Sequence, residues 1–386
     1  MDVTLYHPRS ADEIRNGRLM NSVVHQADTV ARERALGIDA WDAPDVRVSR
    51  GHDHCLNLPG QPPVRFWGSF RAYGRGVDYR LLLPYLMEEL AARGATMVEG
   101  ARTAEDLTDL QQRHDLVAVG VGRGASGFAG LFDEVPELSR HDGPARALCC
   151  GFFDGIAEND PSGVTLSLTP GVGELIVLPM ETFEGPTYAL LFENVPGGPA
   201  AVLAELSNDD DPALFTKTVL AVLAEHHPAT YERVDHEAFA LHDDRCLLQG
   251  RVRPVVRRAY AMVGGAPVMA IGDLRVTLDP VTGAGANLGS YGAWTLAEHV
   301  AEHGPPYDEG FAQRYEASVM ARTVATVGFN DAVLSPPDHL VGLLMEMATN
   351  RSMCDEFTEG FADPEHLWFD IVRDAATAEA FVARHR

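Results

Sequence analysis

The apolar positions change period along this chain, and the changes predict its elements. Val3-Thr4-Leu5-Tyr6 reads as a short strand, and Thr29 to Leu36 has the composition of a helix. A clearer helix follows Asp78, with Leu82, Leu86 and Leu90 four residues apart on one face and Gly94 as its stop. Strand Ala95 to Glu99, helix Ala104 to Arg113 and strand Asp115 to Val121 continue a β-α-β rhythm. Trp41 to Tyr73, before that helix, is irregular and strand-like, with Val46-Arg47-Val48, His52-Asp53-His54 and Val64-Arg65-Phe66-Trp67-Gly68.

From about Ala145 to Gln249 the pattern shortens. Leu148 to Phe153, Val164 to Leu168, Glu174 to Leu178 and Tyr188 to Glu193 are strands separated by Pro and Gly turns, which predicts a mostly antiparallel sheet. A helix with Phe215, Val219 and Val222 on one face interrupts it, and Leu247-Leu248-Gln249-Gly250 leads out. The four apolar residues Val268 to Ile271 then form a buried strand that Gly272-Asp273 breaks. A loop through Asp279-Pro280, Gly283, Gly285 and Asn287 precedes a helix expected from about Leu288 to His303. Tyr307 to Arg386 is predominantly helical, and Leu340-Val341-Leu343-Leu344 is its most apolar part.

Composition narrows the class. A chain of 386 residues that is 46% hydrophobic supports two intertwined domains and a substantial core. There is no apolar run long enough to span a bilayer and no basic-plus-apolar leader, so a cytoplasmic protein is expected. With 56 acidic against 31 basic residues the net charge is -25, which argues against nucleic acid and anionic membrane surfaces as partners. The five cysteines, Cys55, Cys149, Cys150, Cys246 and Cys354, are scattered without CxxC spacing and indicate neither a disulfide framework nor a zinc site.

The chemistry concentrates after the buried strand. A carboxylate at the tip of such a strand, Asp273, can accept hydrogen bonds from sugar or ribityl hydroxyls. Gly283 and Gly285 let backbone N–H groups approach a planar ring, and the N-terminus of the next helix favours negative charge on a ligand. Near the front, the planar fork of Arg18 suits a diphosphate, with a surface ion pair as the alternative. His52 and His54 share a strand face and with His25 could in principle hold a metal, but no carboxylate or further histidine supports that spacing, so no metal is expected.

Several patterns occur in order: Arg18-Leu19-Met20-Asn21 with His25, Val77-Asp78-Tyr79-Arg80, Arg146-Ala147-Leu148-Cys149, Gly173-Glu174-Leu175-Ile176, Asp209-Asp210-Asp211-Pro212, the Gly272 to Trp294 block with its GDxxxxxxPxxGxGxN register, and Asp355-Glu356-Phe357-Thr358. Together they resemble the oxygenase component of the styrene and indole monooxygenases, over nearly the whole chain. The resemblance implies an α/β fold in which a Rossmann-like FAD-binding domain of the p-hydroxybenzoate hydroxylase type carries an inserted, mostly antiparallel β-sheet substrate domain and a helical C-terminal region. Expected boundaries are 1–145 for the first part of the FAD domain, with a substrate-side excursion at about 44–75, then 146–250 for the substrate domain, 251–310 for the second part of the FAD domain, and 311–386 for the helical region.

It also implies a two-component enzyme. A separate NADH-dependent flavin reductase delivers reduced FAD, which with O2 forms a flavin C4a-(hydro)peroxide that epoxidises a small aryl alkene or indole; a homodimer is left open. By position, Arg18 would meet the FAD diphosphate and Asp273 its ribityl or phosphate side, while Pro280, Gly283, Gly285, Ala286 and Asn287 would line the isoalloxazine. Asn21, Val23 and His25 would border the reacting edge, and His54 a further pocket position. Two departures stand out. The strand, GxGxxG loop and helix expected in the about 25 to 30 residues ahead of Val3 are absent, and with them the diphosphate cradle, so weakened FAD affinity and an open sheet position are expected of this chain alone. Gly74 stands where relatives carry a small hydroxyl residue, which would remove a donor. The alternatives are a single-component aromatic hydroxylase that binds NAD(P)H itself, and a non-catalytic flavin carrier.

Overall fold

The computed structural model describes residues 2–42, 46–122, 125–139 and 145–386, with only the backbone at 125 and 126. The first stretch contains β1 (Thr4–His7), α1 (Ala11–Arg15), β2 (Val24–His25), α2 (Ala27–Leu36), β3 (Ser49–Leu56), β4 (Val64–Gly76), α3 (Tyr79–Ala92), β5 (Thr96–Glu99), α4 (Leu107–Arg113) and β6 (Val117–Val119). Local signals set its boundaries. Ser10 and Glu13 close α1 with a capping box, the Asp78 side chain accepts from the Arg80 N–H at the start of α3, and Gly37 ends α2 in the left-handed conformation.

The second stretch holds β7 (Ala147–Asp154), β8 (Val164–Thr169), β9 (Gly173–Thr182), β10 (Gly185–Asn194), α5 (Pro212–His226), α6 (Pro228–Tyr231), β11 (Ala240–Leu241) and β12 (Leu247–Arg251). The third holds β13 (Val255–Val256), β14 (Tyr260–Val263), β15 (Ala266–Ala270), β16 (Val276–Thr277) and α7 (Ala284–His303). The tail is α8 (Glu309–Leu334), α9 (Asp338–Met347), α10 (Arg351–Glu359), α11 (Pro364–His366) and α12 (Ala375–Arg384), with a π turn at Leu367–Val372.

Among the described residues the largest sheet has nine strands in the order β11-β7-β10-β9-β8-β3-β4-β2, with β12 also on β7. Its ladders are antiparallel except for β3 on β8. The strand-like excursion therefore joins the later block in one sheet; its expected first positions, 44 and 45, lie outside the described residues. Residues 46–48, expected as strand, precede the ladder, which begins at Ser49. Conversely β4 runs on past Gly68 to Gly76, because its far end pairs with β2 through Val24↔Gly76 and His25↔Arg75. That pairing brings the segment around His25 to the edge of the sheet.

Two cores grip the sheet. Phe215, Val219 and Leu223 of α5 pack on Leu175, Leu190 and Phe192, and Leu56 and Phe66 pack against Phe329, Leu343, Phe357 and Ile371 of the helical tail. Outside that sheet, parallel strands form two pairs among the described residues, β1 with β5 and β6 with β15, and no ladder joins them. α8 packs Phe311, Tyr315 and Val319 on Met269 of β15, which fixes the strand that leads into the glycine-rich loop. Among the described residues no helix is long and apolar enough to cross a membrane.

Candidate active site

After β15 the chain turns at Gly272, whose φ of 61° suits glycine, and leaves Asp273 exposed in the turn Gly272–Leu274. The Asp279 side chain accepts from the Val281 N–H at 3.2 Å and so caps the short turn Pro280–Thr282. Gly283 follows at φ 62°, and α7 starts at Ala284, four residues before the expected Leu288. Gly285, Ala286 and Asn287 thus lie in the first turn of a helix and not in a loop; the low helix propensity of Gly285 and Asn287 is overridden because Asn287 fastens that turn to its surroundings. Among the described residues a Cβ built at Gly283 or Gly285 meets nothing within 4 Å, so a flat group has room there, and no side chain caps the first N–H groups of α7. A ring with negative charge on its edge fits this geometry.

Asn287 is buried and makes four hydrogen bonds. Its Oδ1 accepts from the Gln26 N–H and the Thr29 hydroxyl, both at 2.8 Å, and its Nδ2 donates to the carbonyls of Val24 at 3.1 Å and Gly283 at 3.0 Å. The helix after the glycine loop is thereby tied to the β2–α2 corner. Val23 is buried and Asn21 half-buried on the way into that corner.

His25 is held from both ring nitrogens, Nδ1 2.6 Å from Glu33 and Nε2 2.9 Å from the Tyr79 hydroxyl. Arg75, 3% exposed, donates to the other Glu33 oxygen at 2.8 Å. Burial works to raise the Glu33 carboxyl, but the hydrogen bond and charge of His25 together with Arg75 outweigh it and hold it below its ordinary range. Burial pushes the Tyr79 phenol up, and the charges of Glu33 and Asp273 add to that. The last of these places Asp273 within electrostatic reach of the His25 group. Arg18 lies elsewhere: it is exposed, pairs with Asp209 at 2.6 Å and reaches the Asp244 carbonyl at 3.5 Å. Gly74 is enforced by the β2 pairing, since a Cβ there would lie 2.7 Å from both the His25 carbonyl and Val24. The nearby Gln26 Oε1 is buried with no hydrogen-bond partner among the described residues.

His52 and His54 do not approach a metal site with His25. His54 stacks on Phe66 at 5.0 Å with its Nε2 3.3 Å from the Thr358 hydroxyl, and His52 meets Phe361 edge-on at 4.4 Å. Burial drives the His54 imidazole down to about 4 and His52 well below its usual value, so both are neutral. No group of three or more histidine, cysteine or acidic side chains among the described residues could hold a metal.

An apolar cavity of about 60 Å³ opens beside His54, between Leu175 and Ile176 of β9, Phe329 of α8, Phe357 of α10, and Val281 and Thr282 of the loop. Glu174 lines it as well. A larger, open groove of about 540 Å³ along α7 is edged by Arg32, Trp294, Glu298 and Glu302 and is much more polar.

Behind the loop sits a group that the sequence reading did not assign. Glu174 and Glu193 are directly opposite in the β9–β10 ladder, and Glu193 is fully buried next to Asp279. Arg146 reaches Glu174 at 3.1 Å. Burial pushes Glu174 up to about 7, with Arg146 opposing and Asp279 adding, and it pushes Glu193 well above the carboxylate range, with Asp279 and Glu174 adding. The available signal was an acid at an otherwise apolar strand position, Leu190-Leu191-Phe192-Glu193. Thr29, Tyr79, Glu33 and Arg75 carried no such signal.

The sheet, the glycine-loop helix and the apolar cavity between them define a flavin-dependent oxygenase of the p-hydroxybenzoate hydroxylase type. The fold matches flavin-dependent brominase Bmp2 with a TM-score of 0.67 at 12% identity, covering 100% of this chain and 93% of that one. It matches a flavoprotein/dehydrogenase from Cytophaga hutchinsonii with a TM-score of 0.65 at 11% identity, covering 100% and 93%. A family model described as "Styrene monooxygenase A putative substrate binding domain" matches residues 122–233. Styrene monooxygenase StyA from a Pseudomonas species is 39% identical over 95% of this chain and 89% of its own length, and StyA from Pseudomonas fluorescens is 38% identical over the same shares. The chain belongs to the styrene monooxygenase family.

Proposed function

We propose that this protein is the oxygenase component of a two-component flavin monooxygenase that takes reduced FAD from an NADH-dependent reductase and epoxidises a small aryl alkene of the styrene type, with indole as a further substrate. The observation that carries this reading is the apolar cavity closed on one side by Val281 and Thr282 of the glycine loop. Reduced FAD with O2 supplies the electrophilic oxygen. What the chain must do is hold the ring, place the alkene against it and exclude water, which suits apolar walls and neutral histidines.

In this reading Pro280, Gly283, Gly285, Ala286 and Asn287 hold the isoalloxazine, the first N–H groups of α7 favour charge on its edge, and Asp273 takes ribityl hydroxyls. Asn21, Val23 and His25 border the reacting edge, and Arg18 would leave Asp209 to meet the diphosphate. The domain division at 1–145, 146–250, 251–310 and 311–386 belongs to the same proposal. Its test supplies photoreduced FAD to the protein, adds oxygenated buffer and styrene with catalase and no NADH, and quantifies styrene oxide. Epoxide above the protein-free control is expected. Rapid NADH oxidation by the purified chain alone would replace this reading with a single-component hydroxylase.

A further inference from the structure

The three carboxyl groups Glu174, Glu193 and Asp279 meet where the substrate sheet touches the glycine loop. Glu193 on β10 is 0% exposed, and Glu174 is its direct cross-strand partner on β9. Side chains opposed in this way stand about 5 Å apart, and like charges there repel. Asp279 closes the group from the end of β16, and Arg146, just ahead of β7, supplies a guanidinium to Glu174. The further titratable neighbour is Cys150 of β7, a buried thiol that burial holds protonated. Asn330 of α8 donates to the Asp279 carbonyl at 2.8 Å and to the Thr282 hydroxyl at 3.0 Å, but to neither Glu193 oxygen.

Burial and partners decide the protonation. Among the described residues the guanidinium of Arg146 pairs with Glu174, while Glu193 is fully buried, so its ionised form would be both desolvated and unsatisfied and it keeps its proton. No donor among the described residues reaches either oxygen of Glu193, whereas Asp279 is within hydrogen-bonding reach of it. Asp279 in turn already receives the Val281 N–H as the cap of the turn before Gly283, which suits the ionised form. Arg146 pairs with Glu174.

We propose that Glu193 is a positioning residue: as a neutral carboxylic acid it donates a hydrogen bond to the Asp279 carboxylate and so clamps the ligand-facing segment 279–287, the turn and the first turn of α7, onto the substrate sheet. The clamp is the counterpart of Asn287, which ties the other end of the same segment to the β2–α2 corner. The cavity that ends at Val281 and Thr282 is thereby held at a fixed distance from the ring-facing glycines. The inference deepens the proposed function and uses it only to identify what this loop faces.

The test uses the protein without flavin, so that a failed epoxidation assay and a failed clamp are told apart. In the infrared, the Glu174→Gln variant at neutral pH, in which Glu174 cannot contribute, should show the carbonyl band of a buried protonated carboxylic acid, and adding E193Q to it should abolish the band. Hydrogen exchange of the amides in 279–287 should be unchanged in E193Q, which keeps a neutral donor, and roughly tenfold faster in E193A, the loss expected when one buried hydrogen bond is removed. Raising the pH should loosen the same amides in wild type but not in E193Q. The proposal is overturned if the acid band survives E193Q in the Glu174→Gln background, or if E193Q exchanges as fast as E193A. Wild-type amides that stay equally protected as the pH rises while E193Q amides loosen would also overturn it.

Discussion

Two acidic groups flank the glycine loop, and the same residue types behave in opposite ways in them. On the β2–α2 side, Glu33 sits between His25 and Arg75, and Asp42 takes Arg34 at 2.6 Å together with the Tyr73 hydroxyl; the Arg34 hydrogen bond, then that of Tyr73, holds Asp42 at about 2. On the sheet side, Arg146 pairs with Glu174 and acts at longer range on Glu193, which lies beside Asp279, and burial lifts Glu174 and Glu193. Burial raises Glu33 as well, but there the cations win. Charge state near this loop is set by burial weighed against the partners each acid has. One flank is an ionic joint, and the other works as a neutral one.

The largest test of this contrast removes Glu33. Glu33→Ala leaves the buried Arg75 without its closest carboxylate and should cost about 3 to 5 kcal/mol in urea unfolding, whereas Glu193→Gln should cost less than about 1 kcal/mol. Similar losses in both variants would erase the distinction.

A second test reads pH. Glu174 has its folded value raised to about 7, so its contribution to stability is fully present below the ordinary carboxylate range and is lost as pH rises through about 7. A shift of that size corresponds to ~3 kcal/mol across the window. Asp42 has the reverse sign: its contribution is present above the ordinary carboxylate range and is lost as pH falls toward about 2, and it is small because the group is largely exposed. Unfolding free energy measured against pH should therefore flatten between the ordinary carboxylate range and about 7 in Glu174→Gln. An unchanged slope would show that Glu174 is ionised throughout.

Asn287→Ala sharpens the comparison from the loop itself. It removes four hydrogen bonds and strands the buried Gln26 N–H, so a loss of about 2 to 3 kcal/mol is expected, with faster amide exchange in 283–290 and no change in the Glu193 infrared band. Weaker FAD binding, read by fluorescence titration, should accompany it. The smallest effect concerns the β2 edge: Gly74→Ala forces a Cβ to 2.7 Å from the His25 carbonyl, and overpacking of about 1 to 2 kcal/mol should appear in the unfolding midpoint without a change in its pH slope.

Much of this architecture was legible in the chain. The β-α-β rhythm, the strands of 146–250 and the strand–turn–glycine–helix order at Val268 to Trp294 follow from periodicity and turn residues, which act over a few positions. What periodicity missed were pairings. That β3 and β4 join β8 in one sheet, or that β4 continues to Gly76 to meet β2, depends on partners far along the chain. The start of α7 at Ala284 was misplaced for the same reason: Gly283 and Gly285 favour a loop locally, and the fastening of Asn287 to Val24, Gln26 and Thr29 decides otherwise.

The sequence by itself determined the family and the strand–turn–glycine–helix order on which the proposed ring contacts rest, because those are short motifs whose chemistry is local. Only the tertiary structure decided the charges around that loop. An acid's state depends on how many cations, donors and other acids share its dry volume, and the fold alone sets beside one another Glu193 from β10, Glu174 from β9 and Asp279 from the end of β16.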